Sequence, residues 1–395
     1  MTQIVEVSQE NCLQLALAVQ DKVDWRGGGY TERFAWSGEP IDPGFKRVRV
    51  TARQCYVFSH AAIAGDEAAK KAAQHGAELL MSGCLRADGQ FVSRLASDGS
   101  ILDPAADLYD IAFGLFAMAW WYRLSGDERA IAVARRSLAL VREAMCSSSG
   151  TGYIAREGVE GVHEQNPHMH LFEAVIFLAA FTGDPVFREA ADELFALAEE
   201  CLFDERTGTL AEFFDADWVA SGEGGDVRIE PGHHYEWSWL LNRYGAFADQ
   251  PRAFVMADRL FAFARRYGHD DRTGLIVDAV RPDGTLLQAD LRIWPNLEYL
   301  KAMVSMRERL GDDPRWSDVT MDATISRIHA HFLTAQDEGP AACLPQGLWI
   351  DYLDGASLRP KSDHVPASTL YHIMFAFTEA IRYRAGHGAF SGLPW

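Results

Sequence analysis

The chain has 395 residues, 48% of them hydrophobic, and a formal charge of −19. That much apolar material excludes a disordered chain and supports a sizeable core. The acidic balance excludes a broad basic face for nucleic acid or anionic membrane, and it disfavours heavily phosphorylated ligands.

The first residues, MTQIVEVSQENCLQLALAVQ, lack the basic region and apolar run of a signal peptide, and no segment has the length of an uninterrupted membrane span. After Arg26 comes GGGYTERFAWSGEPIDPGF, whose glycines would permit a segment that orders only around a substrate. The six cysteines (Cys12, Cys55, Cys84, Cys146, Cys201, Cys343) are scattered without a C-x-x-C pair, the usage of reduced thiols. The expectation is a cytoplasmic protein, a monomer or homo-oligomer, that engages neither nucleic acid nor membrane.

Further along, one signal recurs: an apolar helical segment, a small break that is often Gly-Asp, then a second helical segment. It reads AAIAGDEAAKKAA around Gly65, WYRLSGDERAIAVA around Gly126 and LAAFTGDPVFREAA around Gly183. It returns as YGAFADQPRAFVMA around Ala248 and RERLGDDPRWSDVT around Gly311, with a weaker sixth break, IRYRAGHG, near Gly386. The first five breaks are 61, 57, 65 and 63 residues apart. Gly past a helix end, followed by Asp as the next N-cap, is the chemistry of a tight turn between antiparallel helices. Pro185, Pro251 and Pro314 suit the first turn of the second helix.

Between these hairpins lie connectors rich in Gly and Asp, such as FDERTGTLAEFF and HDDRTGLIVDAVRPDG, which predict small β-hairpins on one rim. Segments such as LYDIAFGLFAMAWW and HLFEAVIFLAAF are apolar nearly all round and predict burial on both sides. The reading is an all-α protein, a closed double-layered α/α barrel forming a single domain over residues 1–395. An open solenoid is the alternative that periodicity alone leaves standing.

The unusual polar residues occupy one place in this repeat. Arg53, Asp107, Tyr109, His168, His170, Glu173, His233, Glu236, Asn296, Glu298 and His372 each lie 10 to 19 residues before their break. That places them in the first turns of the first helix of each hairpin. In a barrel those ends gather around one mouth, so the histidines and glutamates of EPGHHYEWSWLL would share a pocket with residues of other repeats. His170 with Glu173, and His233 with Glu236, are spaced i, i+3 on one helix face, where a carboxylate fixes an imidazole tautomer and raises its basicity. His168 and His234 read as packing or supporting residues, and His60, His75 and His163 carry no special signal.

Two rival chemistries stand beside acid–base work by histidine. H-x-H and H-x-x-E ligate zinc or manganese, but there is no HExxH or Cys/His cluster, and the candidate ligands are spread over separate repeats; the preferred reading has no metal. Glycoside hydrolysis needs two carboxylates, for which Asp107 and Glu236 are candidates. A non-catalytic sugar-binding protein would leave the paired histidines unexplained. There is no dinucleotide fingerprint, P-loop or G-x-S-x-G elbow.

These stretches carry a resemblance. RVTARQCYVFSHA, DLYDIAFGLFA, QNPHMHLFEA, RIEPGHHYEWSWLL, RIWPNLEYLKA and STLYHIMFAFTEA run in order across nearly the whole chain. Together they resemble the N-acylglucosamine 2-epimerase superfamily. The resemblance implies a six-hairpin (α/α)6 barrel and proton transfer next to a sugar carbonyl, with no redox cofactor. It places the two essential histidines at His233 and His372. It places sugar contacts at Arg53, Asn166, His170, Glu173, Arg228, Glu236 and Trp294; Tyr109 joins them on its place in the repeat. One departure is Asn296, where WPN stands in place of WPQ. Within the family the chain looks like an aldose–ketose isomerase of the mannose isomerase type. Sugar 2-epimerization is the runner-up, with N-acylglucosamine/N-acylmannosamine or cellobiose as substrate.

Overall fold

The computed structural model describes residues 28–390; Cys12 and the start of the chain lie outside them. Eleven α-helices fall within that range. They are α1 (Val48–Ile63), α2 (Glu67–Ser82), α3 (Leu108–Ser125), α4 (Glu128–Ala144), α5 (Gln165–Thr182) and α6 (Pro185–Leu197). After them come α7 (Pro231–Ala248), α8 (Pro251–Tyr267), α9 (Ile293–Leu310), α10 (Asp318–Phe332) and α11 (Leu370–Arg384).

The odd-numbered helices pack in sequence, α1 on α3, α3 on α5, and so on to α11, which packs back on α1. That closed circle decides against an open solenoid. Each even-numbered helix lies outside the ring against the inner helix that precedes it. The architecture is the (α/α)6 barrel. Sequence assigns each helix to its layer. In α3 the run from Leu108 to Trp121 is buried apart from Tyr109, leaving no solvent face. In α4 only a stripe is buried, including Ala130, Ile131, Ala134, Leu138 and Val141, the spacing of one helix face.

The breaks are turns of the expected chemistry. Gly126 and Gly183 end α3 and α5 with φ of 70° and 69°, a left-handed backbone that glycine adopts without a Cβ penalty. At the fourth break Asp249 takes that conformation (φ 53°) in glycine's place. Asp66, Asp127, Asp184 and Ser317 then cap α2, α4, α6 and α10 with their side chains. Gly386 follows α11 with φ 73°, but no second helix follows it among the described residues, so the sixth pair is represented by α11 alone.

The connectors form small antiparallel sheets. Phe45–Arg47 pairs with Arg94–Ala96, His163–Glu164 with Phe213–Phe214, and Leu286–Arg292 with both Val277–Val280 and Tyr352–Leu353. Three of these strands run straight into an inner helix, at α1, α5 and α9. The hairpins therefore form on the rim where the inner helices begin. No helix among the described residues is long and apolar enough to cross a membrane.

The glycine-rich segment from Gly28 onward is packed against the barrel. Tyr30 and Phe34 are buried in the core, and the Tyr30 hydroxyl donates to the Ala72 carbonyl at 2.7 Å. A Cβ on Gly76 of α2 would lie 2.1 Å from the Tyr30 hydroxyl oxygen. Gly76→Ala should expel that ring and lower stability by about 1–3 kcal/mol, the usual cost of overpacking. A thermal melt within a degree of wild type would show that the segment is not anchored this way.

Candidate active site

At the mouth of the ring is a cavity of about 400 Å³, within the size range of small-molecule sites. Its wall includes Arg53, Tyr109, Asn166, His170, Glu212, Glu230, His233, Glu236, Arg292, Trp294, Asp351 and His372. Five of the six inner helices (α1, α5, α7, α9 and α11) start without a side-chain cap. Their positive ends therefore bear on the mouth, which suits negative charge developing on a bound molecule.

His233 and His372 flank one indole: the Trp294 ring centre is 4.7 Å from that of His233 and 5.7 Å from that of His372. Gly232 makes this approach possible, since a Cβ there would sit 2.6 Å from the Trp294 ring. Each imidazole donates its Nδ1 proton to a carboxylate, so each Nε2 is the nitrogen left for other chemistry. His233 Nδ1 is 2.9 Å from Glu212 Oε2, with Glu230 Oε2 at 3.5 Å. Glu212 is itself fixed by Gln165 Nε2 at 2.9 Å, and Gln165 Oε1 accepts from Trp237 Nε1 at 2.6 Å. His372 Nδ1 is 2.8 Å from Glu298 Oε1, whose other oxygen lies 2.8 Å from Lys301 Nζ.

Their protonation differs. Burial disfavours the His233 cation, yet the charges of Glu212, Glu230 and Glu236 overcome it and raise its pKa to about 9. For His372 burial prevails: Glu298 offsets it only in part, Arg53 and Lys301 add repulsion, and the pKa falls to about 4. At neutral pH one histidine is an acid and the other a free base. Beneath them, Glu173, Glu236 and Glu298 surround a single ammonium, Lys301, all fully buried. Glu298 remains ionised: Lys301 and His372 outweigh its burial. Burial and the neighbouring carboxylates push Glu236 well above the usual range, and Glu173 is raised to about 7 chiefly by burial.

Most residues singled out in the sequence reach the cavity, but not all. Arg53 donates to the Tyr109 hydroxyl at 2.6 Å, and its guanidinium lies 4.0 Å above the Phe113 ring. Glu173 sits behind the wall, accepting from the Tyr371 hydroxyl at 2.5 Å and 3.3 Å from His170 Nδ1. Arg228 is also behind it, bound to Glu230 at 2.7 Å and Gln288 at 2.9 Å. Asp107 caps α3 and does not join Glu236 in the cavity, so that carboxylate pair is not formed. Asn296 takes a structural place: its Oδ1 accepts from the Ile276 backbone and its Nδ2 donates to the Arg292 carbonyl. His168 accepts from the Tyr153 backbone N–H, and His234 from that of Leu210.

One expected partnership is different. The i, i+3 spacing pairs His233 with Glu236, but its hydrogen-bonded carboxylate is Glu212, and Glu236 instead lies 4.0 Å from His170 Nδ1. Glu212 comes from a connector, and Lys301 is one helical turn beyond Glu298; neither stands out in the sequence. Their places, just before the strand at Phe213 and on the inward face of α9, show only in the folded ring.

Among the described residues, three groups bring ligand atoms within 4.8 Å of one another: His170/Glu173/Glu236, Glu212/Glu230/His233 and Glu236/Glu298/His372. The candidate ligands, drawn from separate repeats, thus converge at the mouth. In the third group the Lys301 ammonium already supplies a cation to Glu298, and in the second His233 holds a proton a metal would have to displace. Several polar atoms at the wall have no hydrogen-bond partner in the protein: Arg53 Nε, Asn166 Oδ1, Glu212 Oε1 and both Glu236 oxygens. A ligand rich in hydroxyls, each both donor and acceptor, matches that mixed set.

The fold and the site define an enzyme of the sugar isomerase and epimerase class. Residues 28–376 match the family described as N-acylglucosamine 2-epimerase, and the chain belongs to that family. It is 33% identical to a protein named mannose-6-phosphate isomerase from Rhizobium meliloti, covering 93% of this chain and 94% of that one. It is 28% identical to a D-mannose isomerase from Thermobifida fusca over 71% and 74% of the two chains. A cellobiose 2-epimerase from Ruminococcus albus matches at 26% identity over 56% and 59%. Among solved structures, a D-mannose isomerase superposes with a TM-score of 0.83 at 19% identity over 97% of this chain and 99% of that one, a likeness of fold.

Because His233 is raised to about 9 from an ordinary 6.5, its ion pair stabilises the fold fully below pH 6.5 and loses that contribution as pH rises through about 9. Glu212→Gln should return the His233 titration toward its ordinary range and lower the melting temperature more at pH 6 than at pH 10. Histidine NMR and paired melts check this; an unmoved His233 titration would assign its shift to other groups.

Proposed function

We propose that the protein is a cofactor-independent aldose–ketose isomerase interconverting D-mannose, or a close aldose, and D-fructose. The observation that supports this most is the pair of buried imidazoles beside one cavity, each oriented by its own carboxylate and held in opposite protonation states at neutral pH. Two like groups whose surroundings push their pKa values apart divide acid and base roles between them.

The protonation states support a division of roles. His233, protonated, gives its proton to the ring oxygen of the pyranose as the C1–O5 bond breaks, then takes the proton leaving O1, ending as it began. His372, neutral, takes the proton from C2 of the open-chain aldose and returns it to C1, while one proton passes from O2 to O1. The intermediate is a cis-enediol, and its developing charge lies near Arg53 and the uncapped helix ends. Arg53, Tyr109, Asn166, His170, Glu236 and Trp294 form the sugar-contacting wall; Glu173 and Arg228 support it from behind. The relatives from Rhizobium meliloti and Thermobifida fusca, matched over 94% and 74% of their length, carry isomerase names, which favours a C2–C1 shuttle. The scattered thiols suit a reducing, cytoplasmic setting.

Proton NMR of the protein with D-mannose in D2O tests the reading: fructose should form. His372→Ala should lose C2–H exchange by about 10²–10⁴-fold, whereas His233→Ala should lose turnover of the closed ring and keep exchange on an open-chain aldose. The reverse pattern would exchange the two roles, and unimpaired fructose formation in both variants would end the proposal. For the wild type, kcat/KM should fall in acid as His372 protonates near pH 4 and in alkali as His233 loses its proton near pH 9.

Epimerization is the second reading, favoured by the relatives named cellobiose 2-epimerase. Glucose forming before fructose, deuterated at C2, would select it. The name of the Rhizobium meliloti relative raises the phosphorylated sugar. Here the wall carries Glu164, Glu212, Glu230, Glu236 and Asp351, while Arg47 is bound to Glu32 at 2.9 Å and Arg292 lies 3.2 Å from Asp278. We therefore expect kcat/KM for D-mannose to exceed that for mannose 6-phosphate by at least about tenfold, near 1.4 kcal/mol of discrimination. Competition kinetics with both sugars decides it.

A further inference from the structure

Lys301 is the least expected residue near the site. Its side chain is wholly buried, yet it does not line the cavity. The ammonium is 2.8 Å from Glu298 Oε2, 4.1 Å from the centre of the Trp239 ring and 4.4 Å from that of Phe375. A desolvated cation against two aromatic faces and one carboxylate is strongly held, and it costs much to place there.

We propose that Lys301 is a positioning residue for the sugar reaction: by pairing with Glu298 it keeps that side chain a carboxylate, which fixes the His372 tautomer with Nε2 free to act as the base. The chemical consequence rests on the isomerase reading above, but the tautomer itself does not depend on any substrate.

The surroundings of Glu298 decide its charge. One oxygen accepts from His372 Nδ1 at 2.8 Å, and the other faces Lys301 at the same distance. The remaining groups facing His372 and Glu298 come from three other helices. Arg53 is on α1, His170 and Glu173 are on α5, and His233 and Glu236 are on α7. Glu236, Glu298 and His372 have side-chain atoms within 4.8 Å of one another. Without Lys301, Glu298 would be a buried anion beside two other carboxyl groups, and desolvation and like charge would both drive it to take a proton. A protonated Glu298 donates to Nδ1 instead of accepting from it. The imidazole then carries its hydrogen on Nε2, and the lone pair needed at C2 is gone. The ammonium thus determines which ring nitrogen is bare without touching the ring. The same logic holds a buried carboxylate behind the histidine of hydrolase triads, where it orients the base and is not itself the base.

The test uses the full chain carrying ¹⁵N-labelled histidine, with Lys301→Met as the first variant, since methionine matches much of lysine's apolar stem. The wild type should show His372 with a protonated Nδ1 and an unprotonated Nε2. Lys301→Met should exchange the two signals, and kcat for whichever sugar the wild type turns over should drop by about 10²-fold or more, with KM changed less than about threefold. The second variant is Lys301→Met combined with Glu298→Gln, which leaves no buried charge uncompensated and so guards against failure to fold. A neutral amide oxygen accepts from Nδ1 without help from a cation, so the double variant should keep the wild-type tautomer and regain at least about tenfold of the lost kcat, a coupling between neighbouring sites. A wild-type His372 protonated at Nε2 would overturn the proposal, as would an unchanged tautomer in Lys301→Met, or a double variant with the exchanged tautomer. If the tautomer responds as stated while the wild type turns over no sugar, the positioning role stands and the isomerase reading fails.

Discussion

The structure depends on one constraint: a closed inner ring of helices has no solvent face. Up to their last turns, the residues of α1, α3, α5, α7, α9 and α11 mostly face another inner helix, an outer helix or the axis. Apolar side chains meet that condition easily, which is why α3 and α5 are hydrophobic nearly all round. A polar side chain there must find a partner inside the protein or open onto the mouth, because an unpartnered buried polar group costs about 1–3 kcal/mol. The ionisable groups of the first helical turns are thus forced into one another's company, and the site is a consequence of closure.

Closure also explains how much the sequence shows. The pairing of helices was legible because turns need particular residues: Gly126 and Gly183 take left-handed backbone, and Asp127 and Asp184 cap the outer helices next in the chain. Position in the repeat was enough to bring Arg53, Tyr109, His170, His233, Glu236 and His372 to one cavity. That step needed only the rule that first turns of inner helices share a rim. The ring's last turn was less legible, since a Gly-rich ending such as that at Gly386 reads the same whether or not a helix comes after it.

Partnerships were much harder to read. Spacing on a helix reports which residues share a face, and it does so correctly for His170 and Glu173, 3.3 Å apart. It is silent about a side chain arriving from a connector, and Glu212 is such a case. Its carboxylate is delivered to His233 by strand pairing at Phe213, a contact over 21 residues that no helical period encodes. Lys301 was hidden for a different reason. A lysine one turn after a glutamate usually reads as an exposed i, i+3 pair; only the ring's geometry turns that face inward.

The two histidines show how similar local motifs acquire opposite properties. Both are buried, both lie against Trp294, and both donate Nδ1 to a glutamate at nearly the same distance. The difference is in the remaining charge. Around His233, Glu212 and Glu230 face the imidazole, and Arg228 pairs with the other oxygen of Glu230. Around His372, Glu298 already shares its charge with Lys301, and Arg53 adds repulsion. Desolvation acts on both rings alike, so the sign of the shift is set by the charge left over once each carboxylate has met its other partner. Lys301 keeps Glu298 a carboxylate while burial and Arg53 hold His372 neutral, and the charge of Glu212 and Glu230 keeps His233 protonated, so one mouth carries an acid beside a base.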